Sequence, residues 1–171
     1  MTVTTIPTAG ITDATIVTAD LADDAVTAAK AAFSPGKIGQ VLSVTIGGEV
    51  NTTTGSYADV SGLSLAITPS ATSSKIMVQT LVHADSRHSG GNSTVGRIKL
   101  FRDSTELEQR NIIQMNIGNG EPDKIAANCY HSFLDSPSST SAVTYKYQFS
   151  VDGGTFRIGA SSKIILLEVL A

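Results

Sequence analysis

Between residues 143 and 151 the chain alternates without a break. Val143, Tyr145, Tyr147, Phe149 and Val151 form one set, and Thr144, Lys146, Gln148 and Ser150 lie between them. A period of two puts each set on its own face of a β-strand and fits no helical stripe. The apolar face is broad and aromatic, so it needs a second apolar layer, and the chain supplies further strands to build one. Leu42, Val44 and Ile46 alternate with Ser43 and Thr45 before Gly47-Gly48, and Leu63, Leu65 and Ile67 alternate up to the stop at Pro69. Residues 76–82 and 95–102 are two more strands, the second with Ile98 and Leu100 on one face. Asp152-Gly153-Gly154 then turns residues 143–151 into a short strand at 156–158. Residues 163–170 are apolar on both faces, which predicts a strand that is central or buried between subunits.

Two stretches read less plainly. Residues 51–56, rich in Thr and Gly, read as a polar loop. Residues 104–115 suit either a capped helix or the return arm of a hairpin that turns at Asp103-Ser104. The hairpin, between 97–102 and 106–115, is the better fit. Composition agrees with strands: 20 Ser and 20 Thr stand among 171 residues, and only 16% of the chain is charged. Hydroxyl side chains suit strand surfaces, whereas exposed helices favour Glu, Lys and Arg. The chain therefore reads as all-β, with eight or nine short strands making a jelly-roll-like β-sandwich over residues 37–171.

Residues 1–36 follow a different rule. Ile6, Ile11, Ile16, Leu21 and Val26 recur every five residues, with Ala31 next in phase. Small residues precede most of them by two: Ala9, Ala14, Ala19 and Ala29, with Asp24 in the same register. Five is neither a helical nor a strand period. It resembles a pentapeptide repeat, and residues 19–30 (ADLADDAVTAAK) resemble a segment of phage-fibre shafts. Six such units are too few to bury a core of their own, so the arm needs a partner. Two other readings stay open: an unstructured Thr/Ala/Asp tail, and a helix over 18–32 carrying Leu21, Ala22, Ala25, Val26 and Ala29 on one side. Pro35-Gly36 reads as the hinge into the sandwich.

Charge and motifs exclude several functions. Asp13, Asp20, Asp23 and Asp24 outweigh Lys30 in the arm, while the remainder carries 11 basic and 11 acidic side chains. A neutral body without a basic patch does not suit nucleic acid. The single cysteine, Cys129, permits no internal disulfide, and the apolar run of 164–167 is too short for a membrane span. The N-terminus shows no basic start or apolar stretch of a secretory leader, so expression in the host cytoplasm is expected. Asn51-Thr52-Thr53 and Asn92-Ser93-Thr94 match the glycosylation sequon but carry no weight without a leader.

Chemistry-bearing residues are sparse. His83, Asp85, Arg87 and His88 fall in a Ser- and Gly-rich stretch read as a solvated loop; His83 and Asp85 share a face if the stretch is extended, and a metal there needs a third ligand. His131 stands in phase with Cys129 and Phe133, a satisfied core or interface histidine rather than a base. Glu106 with Glu108, on one strand face by spacing, and Glu121 with Asp123, beside Pro122, are the carboxylate pairs closest to a glycosidase arrangement. That chemistry also needs an apolar pocket to keep one acid protonated, and none is evident. No serine-hydrolase elbow or phosphate-binding loop occurs, so neither an enzyme nor a cofactor is expected. The chain has no Trp; Tyr57 and Tyr130 are the candidate sugar platforms, more in keeping with ordinary sandwich residues.

GKIGQVLSV (36–44), LAITPSATSSKIMV (65–78), LFRDSTEL (100–107), FLDSPSSTSAVTYKYQF (133–149) and SSKIILLEVLA (161–171) resemble a recurrent domain of tailed-bacteriophage virion proteins. It is found at fibre tips and on short capsid or tail appendages in phages of cyanobacteria and other aquatic bacteria. The resemblance implies a homotrimeric jelly-roll knob with an N-terminal attachment arm, and it supplies no catalytic residue. The expectation is a virion-surface protein decorating the capsid, a cement protein or head fibre, gripping capsid or tail proteins through residues 1–36. The alternative is a short tail fibre or a host-glycan-binding module. In that case the loops holding His83, Asp85, Arg87, His88 and Asn92, and those holding Asn119, Glu121 and Asp123, would face the receptor.

Overall fold

The computed structural model describes residues 37–88, 93–115 and 123–170. They form ten strands: β1 (Ile38–Thr45), β2 (Val50–Thr52), β3 (Ala58–Ile67), β4 (Lys75–His88), β5 (Thr94–Arg102), β6 (Thr105–Met115), β7 (Asp123–Asp135), β8 (Val143–Asp152), β9 (Thr155–Ile158) and β10 (Lys163–Val169). No helix occurs among the described residues. The arm, with Ile6, Ile11, Ile16, Leu21 and Val26, lies outside them, as do Asn92, Asn119 and Glu121.

All pairings are antiparallel. In the first sheet β4 is the axis. β7 runs along one side of it, while β10 and then β9 line the other, with β1 outside β10 and β2 outside β9. The second sheet has the order β3-β8-β5-β6. Leaving aside the short β2 and β9, four strands (β1-β10-β4-β7) oppose four (β3-β8-β5-β6). Through these eight strands the chain changes sheet at every step except the β5–β6 hairpin, and this alternation is the jelly roll.

The alternation of β8 builds the core. Tyr145, Tyr147, Phe149 and Val151 are all buried, against Ile76, Val78 and Val82 of β4, Ile164 and Leu166 of β10, and Leu63 and Ile67 of β3. Gly96 of β5 leaves room for Phe156 of β9: a Cβ there would stand 2.5 Å from the ring. The hairpin read at Asp103-Ser104 is present, with Asp103 at φ 52 and its carboxylate accepting from the Thr144 amide at 2.9 Å.

Three expectations need correction. Residues 50–52 are strand, not loop, because β9 offers them a free edge. β4 runs to His88, six residues past its expected end. Past Val82 its inner face carries only Ala84, Ser86 and His88, none of them a large apolar residue, so the apolar signal fades while pairing to β7 and β9 continues. Glu106 and Glu108 do not share a face. A bulge pairs Phe101 with Glu106 and Leu100 with Glu108, which turns Glu106 outward and Glu108 inward.

β10 is central, as its apolar character predicts, but its inner face ends on a charge. Glu168 is 1% exposed. Its Oε1 accepts from the Ser70 amide at 2.6 Å and the Ser70 hydroxyl at 2.7 Å, and its Oε2 accepts from Gln40 Nε2 at 2.8 Å. The clamp fastens the β3–β4 crossover to β1 and β10. Burial alone would raise this carboxyl, but the bonds from Gln40 and Ser70 outweigh it and hold the pKa at about 2, against an ordinary 4.5. The folded state therefore binds the proton more weakly than the unfolded chain. The clamp contributes in full above the unfolded pKa and fades as pH falls from there toward 2. Glu168→Gln should lower the urea midpoint at about pH 6 and should lose less than the wild type between about pH 6 and pH 3. An equal loss in both proteins would show that Glu168 does not carry this pH dependence.

Candidate functional site

The outer faces of the two sheets differ. That of the second sheet is polar and paired: Lys146 and Gln148 reach Asp59 at 2.9 and 2.8 Å, Lys99 reaches Glu106 at 2.7 Å, and Arg97 reaches Asp152 at 2.5 Å. The outer face of the first sheet is divided across its strands. One half is apolar. A continuous row runs Val41, Leu167, Met77, Leu134 from β1 to β7, flanked by Ile165 on one side and Val169 and Ile38 on the other. Val41 is 57% exposed and Leu134 47%. The other half begins with Gln79 opposite Ser132 and, past the Leu81–Tyr130 pair, continues with His83 opposite Asn128, Asp85 opposite Ala126 and Arg87 opposite Lys124.

In that polar half lies an open recess of about 290 Å³, bordered by His83, Asp85, Ala126, Asn128 and Gly159. Its origin is a break in the sheet. β4 pairs with β10 up to Leu81 and with β9 from Ala84, so the turn at 159–162 leaves a gap beside His83. Backbone bonds hold the gap's rim: the Gly159 amide donates to the His83 carbonyl at 2.7 Å, and the His83 amide to the Ser162 hydroxyl at 3.0 Å. His83 Nδ1 lies 2.6 Å from Asn128 Oδ1. Asp85 stands among cations, 3.4 Å from Arg87 Nε and 3.8 Å from both Lys124 Nζ and Arg157 Nε; Arg157 also pairs with Glu49.

The stretch expected as a receptor-facing loop is thus strand, held in register by β7 and β9. It brings His83, Asp85 and Arg87 to one face. His88 has the opposite parity and packs beside the Gly153-Gly154 turn, so it does not join them. No group of three His, Cys, Asp or Glu among the described residues is arranged to hold a metal. Asp123 opens β7 opposite His88. Of the two tyrosines singled out, Tyr57 is partly buried under Lys99 Nζ, 4.4 Å from its ring centre, whereas Tyr130 is 65% exposed on the outer face of β7. Asn128 carried no signal in the sequence, because its partner is 45 residues away on another strand.

The inner side of β7 is tied across the sandwich. His131, 7% exposed, places Nδ1 2.7 Å from the Tyr147 hydroxyl and Nε2 2.6 Å from Glu108 Oε2. Thr80 donates to the same tyrosine oxygen at 3.0 Å. The network assigns the protons: Thr80 to Tyr147, Tyr147 to His131 Nδ1, and His131 Nε2–H to Glu108. Burial works against ionisation of Glu108, but Arg110 and His131 outweigh it and hold the carboxyl below its ordinary value. Further along, Tyr145 donates to Asp135 at 2.6 Å and Arg102 Nη1 donates to both of its oxygens at 2.9 and 2.7 Å. Burial pushes both tyrosine hydroxyls well above their ordinary pKa, so they remain donors. Each group is satisfied by its neighbours, as expected of the satisfied core histidine read at position 131.

The chain is similar in structure to particle proteins of infectious bursal disease virus. For the VP2 subviral particle the TM-score is 0.41 at 12% identity, covering 77% of this chain and 33% of that one. For the T13 viral particle the TM-score is 0.36 at 12% identity, covering 80% and 36%. The chain thus spans about a third of the length of those proteins. No family model matches it, and no curated protein matches it.

Tyr147→Phe should keep the fold but strand the Thr80 hydroxyl and His131 Nδ1, lowering stability by about 1–3 kcal/mol in urea denaturation. A neutral substitution would show that the network is dispensable.

Proposed function

We propose that the chain is a non-enzymatic structural protein of a tailed-phage virion: a homotrimeric knob that decorates the capsid and is held there by residues 1–36. The apolar half of the outer face of the first sheet carries this reading. Solvent-facing sheets normally carry polar side chains, as the second sheet does here, and a contiguous apolar face marks a surface that another protein covers. The occupant proposed is a second copy of this chain. The described structure starts at Lys37, and Ile38 and Val41 lie on that face, so copies packed through it would bring their Lys37 ends close together. Six five-residue units are too short to fold alone, and gathered arms supply each other with partners and grip one site with added avidity. The phage-domain resemblance of about residues 37–171 points the same way. Localisation on the virion surface follows from the reading.

A short tail appendage or receptor-binding module is the second reading, favoured by the recess around His83 and Asp85. The tail appendage shares the trimer and differs in what the arm grips, whereas a monomer would favour a stand-alone binding module.

Light scattering on the full chain should give roughly 53 kDa, three times the 17.7 kDa of one chain. Leu134→Asp, at an exposed position, should leave folding intact and shift the mass to that of a monomer. A monomeric wild type, or a trimer indifferent to the substitution, would remove the apolar face from this role. Deleting residues 1–30 should leave a folded sandwich that no longer attaches to particles. Continued decoration by the truncated protein would show that the anchor lies elsewhere.

A further inference from the structure

The recess in the polar half of the first sheet has the parts of a sugar subsite. Its floor is open because the residues on either side of His83 and Asp85, Ala126 across β7 and Gly159 at the break in the sheet, have almost no side chain. Its rim offers hydrogen bonds of both kinds. With Asn128 Oδ1 engaged by His83 Nδ1, the Asn128 amide nitrogen is left to donate and His83 Nε2 to accept. Asp85 Oδ1 is buried 3.4 Å from Arg87 Nε, and the 16% of the side chain still accessible leaves Oδ2, which lies 3.8 Å from both Lys124 Nζ and Arg157 Nε, to accept from the recess. Arg87 and Arg157 beside it hold it in place.

Next to this rim stands an aromatic ring. Tyr130 follows Asn128 by two residues on the same face of β7, roughly 7 Å further along the strand. It is 65% exposed, more than any other large hydrophobic side chain among the described residues, and it stands opposite Leu81 in register. An exposed ring next to a small-floored polar recess is the arrangement that takes a pyranose: the C–H face lies on the ring while adjacent hydroxyls bond to a carboxylate and an amide.

We propose that His83, Asp85 and Asn128, with Tyr130 as platform, form a binding subsite for a neutral pyranose bearing two adjacent hydroxyls. The donor at Asn128 bonds one hydroxyl oxygen, and Asp85 accepts a hydrogen bond from the neighbouring hydroxyl. Tyr130 covers the apolar side of the ring. The subsite adds a ligand to the virion-protein reading without resting on it, since it is a property of one sheet face.

The test is saturation-transfer NMR on the full chain, with methyl glycosides of glucose, galactose and mannose as probes. At least one should receive saturation, strongest on protons of one ring face. Tyr130→Ala and Asp85→Asn should each weaken that binding about tenfold or more. Ala126→Leu fills the recess without touching a hydrogen-bonding group and should do the same. All three positions face outward, and an unchanged circular dichroism spectrum with unchanged mass separates lost binding from lost fold. No transfer to any of the three probes would overturn the subsite, as would transfer that survives Ala126→Leu. A trimer that decorates particles yet binds none of the probes would leave the virion reading standing and remove only this inference.

Discussion

The sandwich is held at its width by two tyrosines. Tyr145 and Tyr147 stand on the inner face of β8, and their hydroxyls end on Asp135 and His131 of β7 in the opposite sheet. Each ring contributes buried apolar area, and each hydroxyl would be a buried unpaired polar group were β7 elsewhere. Position along β7 is therefore specified on both counts: a slip of one residue would point His131 and Asp135 outward and bury Asn128 and Tyr130. Among the described residues β7 pairs with β4 alone, so this cross-sandwich bonding does the work that a second neighbour does elsewhere. The outer features of the first sheet inherit their geometry from this inner anchoring. Leu134 completes the apolar row, and Asn128 faces His83, because the residues between them are fixed from beneath.

How far this was legible in the sequence depended on whether local pattern or distant pairing decided each element. β8 declared itself because its inner residues are all large and its outer ones all polar. The β5–β6 hairpin was readable from Asp103-Ser104, whose turn chemistry is local. The distal half of β4 was not, since Ala84 and Ser86 give no apolar beat and its extended form is imposed by β7 and β9. The bulge opposite Leu100 and Phe101 defeated the face assignment of Glu106 and Glu108, for one extra residue inverts every parity after it. Glu168 was hidden in an apolar strand, because its partners Gln40 and Ser70 lie 128 and 98 residues away. His83 and Asp85 were paired by spacing alone. The sequence held no sign that Asn128 completes the group, or that a break between β10 and β9 hollows the sheet beside them.

If the proposals hold, the division of one sheet face into an apolar and a polar half would link assembly to recognition. Leu134, at the end of the apolar row, and Asn128, at the recess, lie on the same face of β7, so covering the first in a trimer would set the orientation of the second. In the proposed assembly three copies of the subsite would stand in fixed geometry about one axis. Single sugar subsites of this size, with one ring to stack on and a few hydrogen bonds, reach roughly millimolar affinity, about 4 kcal/mol. That is too weak to hold a particle. Three subsites linked rigidly gain by effective concentration, and a particle carrying many knobs gains again, so avidity of about a hundredfold or more needs no new contact. A weak, shallow, strand-borne site is a poor receptor on a monomer and a serviceable one on a repeated trimer, and for that reason the apolar row and the recess make most physical sense as parts of one device.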